Sequence, residues 1–132
     1  MKHKKNMYLL ILAVLVVVGF ILVKTGDEKK LEETGYKTIT AELVYNMETE
    51  MHLVDVRTQS EYDEKHIKGS VLISLDVLKE TVEDKIPQKS DKIVVYCRSG
   101  NRSRSAALTL IEMGYTDVYD MGGITSWPYE TE

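Results

Sequence analysis

One cysteine in 132 residues, Cys97, excludes an intramolecular disulfide. With three scattered histidines (His3, His52 and His66), it also argues against a metal cluster. No internal repeat and no low-complexity tract interrupts the chain. Carboxylates are missing from the first stretch: all 21 lie after Gly26. Past Lys24, thirteen basic residues face those 21 acids, a net charge of −8. That balance argues against nucleic acid as a partner and makes any local cluster of cations informative. Arginine is scarce too. There are four, and three of them, Arg98, Arg102 and Arg104, follow the lone cysteine closely.

A single long hydrophobic run is present. Met7 to Val23 is a stretch of seventeen uncharged positions, with Lys2, Lys4 and Lys5 before it and Lys24 after it. As a helix it spans about 25 Å, and flanking lysines can snorkel to cover the remainder of a ~30 Å hydrocarbon core. Its β-branched valines and lack of a polar face make a buried core helix a poor fit in so small a protein. The sequence after it, "LVKTGDE", lacks a small-x-small cleavage site, and no cysteine follows to take a lipid. The expectation is an uncleaved signal anchor over 1–24 with a membrane helix over 7–23; the alternative is a secreted domain released by cleavage. The N-terminal lysines keep that end in the cytoplasm, which puts the rest outside a single-pass cell-membrane protein. Residues 25–35, charged and without an apolar stripe, read as a linker, and 36–132 as the domain.

Within that domain, short apolar runs alternate with helical spacing. Strands are expected over "YKTI", "MHLVDVR", "SVLIS", "KIVVYC" and "TDVYDM". Helices are expected over "AELVYNM" with Thr40 as cap, "SEYDEKHI" with Ser60 as cap, "LDVLKETVEDKI", and "SRSAALTLIEMG" with Gly114 as its stop. "GGITSW" reads as a turn into a terminal segment. Alternation of this kind implies an α/β fold, a mostly parallel sheet with helices on both faces. Ligands bind such sheets in loops at the carboxyl ends of strands, and Cys97 ends one.

The loop after Cys97 reads Arg98, Ser99, Gly100, Asn101, Arg102, Ser103. Gly100 allows a positive φ, so the loop can curl and turn its N–H groups inward at a helix start. Helix N-termini and nearby cations lower a thiol pKa. The pattern therefore points to a thiolate nucleophile in an anion-binding cradle.

Three stretches resemble one known family. "DVRTQSEYDEKHIKGSVLISL", "YCRSGNRS" and "GGITSW" resemble, in order, the first signature, active-site loop and closing signature of rhodanese-homology domains. The resemblance covers about Tyr36 to Trp127. It implies a five-stranded, mostly parallel sheet and sulfurtransferase chemistry with no cofactor. In that chemistry Cys97 is the catalytic nucleophile and residues 98–103 bind a small anionic sulfur donor. Sulfur passes through a Cys97 persulfide to a thiophilic acceptor: cyanide, a thiol or a protein cysteine. Ser70, Leu72 and Ser74 depart from the family's alanine, asparagine and proline.

Competing readings attach to the same residues. A persulfide carrier that docks on a membrane protein partner needs Cys97 as much as a turnover enzyme does. A phosphatase or arsenate reductase uses Cys-x5-Arg, but the sixth residue after Cys97 is Ser103, with Arg102 one step earlier. Asp55 and Arg57, at a strand end, are read as structural support for the loops. His66 is read as structural, since a thiolate made by its loop needs no base, and Trp127 as a packing residue. Asn101-Arg102-Ser103 matches a glycosylation sequon but sits inside a tight loop.

Overall fold

Five stretches rich in β-formers pair into one sheet: β1 (Lys37–Thr38), β2 (His52–Asp55), β3 (Val71–Leu72), β4 (Lys92–Cys97) and β5 (Asp117–Gly123). This is a computed structural model, and it describes Ala13 and residues 35–132. The strand order is β1-β5-β4-β2-β3, and every pairing is parallel. The helices are α1 (Ala41–Tyr45), α2 (Gln59–Glu64), α3 (Leu78–Lys85) and α4 (Asn101–Glu112). The expected membrane helix 7–23 and all of the linker but Gly35 lie outside the described residues, Ala13 apart. Among the described residues no helix is long and apolar enough to cross a membrane.

Alternating side chains on β4 build two cores. Ile93, Val95 and Cys97 join Leu78 and Val82 of α3 and Ala106, Ala107 and Leu110 of α4. Val94 and Tyr96 point the other way and join Val44 of α1 and Ile67. Burial of each large apolar side chain here stabilises the fold by roughly 1.5–3 kcal/mol. The same parity puts Cys97 on the α4 side of the sheet. Tyr96 anchors the opposite side: its hydroxyl accepts from Ile67 N–H at 3.1 Å and pairs with the Ser70 hydroxyl at 2.8 Å. Ser70, where the family has alanine, thus gives the buried phenol a partner.

Several boundaries differ from the expectation, each for a local reason. Thr58, not Ser60, caps α2, because Thr58 and Glu61 form a reciprocal capping box. The strand over "SVLIS" shortens to Val71–Leu72, since only Val54 and Asp55 of β2 pair with it. "LDV" forms a 3-10 turn before α3. Helix α4 starts at Asn101, two residues before Ser103, because Gly100 with φ 114° turns the chain at its N-cap. Gly122 and Gly123, read as turn, belong to β5. A bulge slips the register so that Val95 pairs with Asp120 but Tyr96 with Gly122 and Cys97 with Gly123.

Candidate active site

The chain leaves β2 toward one edge of the sheet and β4 toward the other. Their carboxyl-end loops therefore diverge and open a crevice, as at other α/β switch points. The Val56 N–H donates to the Tyr96 carbonyl at 3.0 Å and ties the two loops at their root. One loop carries Asp55 and Arg57, the other residues 97–103.

Cys97 is buried, and its Sγ accepts the Gly100 N–H at 3.0 Å. Burial pushes the thiol pKa up. Against it stand the Ser103 N–H and hydroxyl and the N–H groups of Gly100 and Ser99. These donors win, and the pKa lies below that of an ordinary thiol. The Ser103 hydroxyl has one proton, which it gives to the Gly100 carbonyl at 3.0 Å. It serves the sulfur only by rotating, once negative charge there competes for it.

The cradle rests on Gly123. A Cβ at that position would sit 2.3 Å from the Arg98 oxygen and 2.9 Å from the Ser99 Cα. Those are backbone atoms, so the loop itself would have to move. Its φ of −110° is open to any residue, so the requirement is steric only. Thr125 adds a hydroxyl bond to the Arg98 carbonyl at 3.2 Å. Gly123→Ala is expected to displace the N–H donors, raise the Cys97 pKa and slow its alkylation at neutral pH severalfold. The pH profile of iodoacetamide alkylation measures it; an unmoved midpoint contradicts the steric argument.

The four arginines divide. Arg57 is buried against Asp55, with Nη2–Oδ2 at 2.7 Å and Nε within 3.0 Å of both carboxylate oxygens; it also donates to the Lys65 carbonyl at 2.6 Å. Asp55 further accepts the Arg57 N–H at 2.9 Å. This pair joins the β2 loop to the end of α2. Arg102 makes a bidentate pair with Glu61, at 2.6 and 2.9 Å. Arg98 and Arg104 are exposed, as are Ser99 and Asn101, while Ser103 is buried.

Two clefts flank the Arg102–Glu61 pair. One, of about 240 Å³, is lined by Arg57, Glu61, Glu64, Lys65, Arg98, Ile124 and Thr125. The other, of about 300 Å³, has Arg102 with Arg57, Thr58, Asp76 and neighbouring residues of the β3–α3 connection. Among the described residues no cluster of histidine, cysteine and carboxylates is placed to hold a metal.

His66 stacks on Tyr62 at 3.7 Å, its Nδ1 meets the Tyr62 carbonyl at 2.8 Å, and its backbone pairs with Glu132. It closes the C-terminal tail against the domain. Trp127 packs edge-on against Tyr45 and Tyr129. Glu61 and Gly123 did not appear among the sequence-predicted site residues. Glu61 was legible only as the third residue after a Thr58 cap, and Gly123 only as the residue beside Cys97 once the bulge sets the register.

The family described as "Rhodanese-like domain" matches residues 40–129. Thiosulfate sulfurtransferase PspE of Escherichia coli is 40% identical over 73 residues, which is 55% of this chain and 70% of that protein. Thiosulfate sulfurtransferase GlpE of Coxiella burnetii is 37% identical over 76 residues, 57% of this chain and 69% of that one. A solved structure of a rhodanese with anions from E. coli superposes with a TM-score of 0.60 at 35% identity, over 63% of this chain and 98% of that chain.

Proposed function

The chain belongs to the rhodanese-like domain family and is a sulfurtransferase, and we propose that it works through a persulfide on Cys97. The observation that carries the reading is the Cys97 sulfur held in a cradle of N–H groups that lowers its pKa. The thiolate attacks the outer sulfur of a sulfane donor. The new S–S bond forms on Sγ, and the old bond breaks with its electron pair leaving on sulfite or a thiolate. The persulfide's negative charge then lies where the N–H groups of Ser99, Gly100 and Ser103 converge, so the donors that ionise the thiol also stabilise the intermediate. An acceptor thiolate or cyanide attacks the terminal sulfur and returns Cys97 as thiolate. In this reading Arg98 meets the donor's charge, which its exposure and its position in the cleft lining support. Ser99 and Asn101 sit at the exposed rim of the same loop.

Arg102 is committed to Glu61 rather than open to wrap a tetrahedral phosphate. That pairing, with Ser103 at the sixth step, favours sulfur transfer over a phosphatase. The carrier reading differs in turnover. With thiosulfate and cyanide, an enzyme makes many thiocyanates per chain; a product yield that stops at one per Cys97 would favour a carrier for a protein partner.

Met7 to Val23 with Lys2, Lys4 and Lys5 support a membrane anchor that places the domain outside the cytoplasm. Protease added to intact cells is expected to degrade the domain. Full protection until the cells are lysed would put it on the cytoplasmic side.

A further inference from the structure

We propose that Glu61 is a specificity-determining residue: by holding Arg102, it weakens the site for doubly charged oxyanion donors relative to singly charged persulfide donors. The inference rests on the sulfur-transfer reading above and concerns which donor that site accepts.

Two of the four cations at the crevice are neutralised by carboxylates. Arg57 is taken by Asp55 and the Lys65 carbonyl. Arg102 is taken by Glu61 through both terminal nitrogens. Glu61 is itself fixed, since its Oε2 accepts the Thr58 N–H and hydroxyl, both at 2.9 Å. Among the described residues, that leaves Arg98 and Lys65 without a side-chain ion pair in the 240 Å³ cleft, and Glu64 lines the same cleft. Thiosulfate brings two charges into a mouth with little net positive potential. Cysteine persulfide brings a net charge of at most one, and the N–H groups around Cys97 Sγ are there to stabilise charge on the sulfur that Sγ attacks.

The Arg102 bonds, with burial opposing them and Thr58 assisting, drive the Glu61 pKa far below the usual carboxylate range. The carboxylate therefore stays charged wherever Cys97 is a thiolate, and pH alone does not release Arg102. Substitution does. Glutamine preserves the capping box, because its amide oxygen still accepts the Thr58 N–H. It removes the charge that neutralises Arg102.

The experiment compares kcat/KM for thiosulfate and for cysteine persulfide in the full chain, in Glu61→Gln, and in the double variant Glu61→Gln with Arg102→Gln. The thiosulfate-to-persulfide ratio is expected to rise roughly fivefold or more in Glu61→Gln, and to fall back toward the wild-type ratio in the double variant. Sulfite, the anionic product, is a readout without turnover: its Kd is expected to drop by a similar factor in the single variant. A ratio that stays flat or falls in Glu61→Gln, or rises as much in the double variant, overturns the proposal. If the parent chain transfers sulfur in a Cys97-dependent way while the ratio stays flat, only the role of Glu61 fails. If it transfers from neither donor, the sulfur-transfer reading fails with it.

Discussion

Cys97→Ser is expected to leave a folded chain whose sulfur transfer is reduced at least ~1,000-fold. Serine is nearly isosteric, and the buried site already presents N–H donors that a hydroxyl oxygen can accept. Stability should change little, while the nucleophile is lost: an alkoxide is out of reach at neutral pH, and oxygen cannot carry a persulfide. The wild-type pH profile gives the complementary test. Donors from Ser103, Gly100 and Ser99 outweigh burial and lower the thiol pKa. The reactive thiolate is therefore more abundant at neutral pH than in a thiol without those donors. As pH falls through the lowered value, a proton returns to sulfur and the rate drops; above it the rate is flat. An alkylation midpoint at or above that of free cysteine would falsify the cradle.

Asp55→Ala is expected to destabilise the chain by about 3–5 kcal/mol, because it strands the buried Arg57 charge. Typical domains hold only ~5–15 kcal/mol in total, so a large fall in Tm follows. The loss has a second route. Asp55 accepts the Arg57 backbone N–H and fixes the guanidinium that holds the Lys65 carbonyl, so the β2 loop loosens where it meets the Cys97 loop. Thermal melts of the chain measure the effect. Replacing both partners, Asp55→Leu with Arg57→Met, is expected to recover much of the stability, since no unpaired charge remains. A single variant that melts within a degree or two of the parent would contradict the assignment of this pair as structural support.

Much of the fold was legible where a short apolar strand is followed by a helical pattern, as at β2 with the Thr58-capped α2 and at β4 with α4. "KIVVYC" and the α4 stretch declare their periods plainly, and the alternation of the two fixes a parallel sheet. Boundaries were less legible where tertiary contacts choose among local options. Thr58 and Ser60 are both good caps, and the choice falls to Thr58 because Glu61 completes a box with it. The bulge that carries Gly122 and Gly123 into β5 depends on pairing with β4, which no local pattern specifies. The site divides in the same way. Cys97 and its loop could be read from one contiguous stretch. The partner of Arg102 could not, because Glu61 lies 41 residues earlier and reaches it only when β2 and β4 lie side by side.

Intact mass of the purified chain after exposure to thiosulfate tests the persulfide mechanism most directly. The expected result is a gain of one sulfur atom in the wild type, removed by cyanide, and none in Cys97→Ser. A wild type that gains no sulfur, or a serine variant that gains as much, would contradict it.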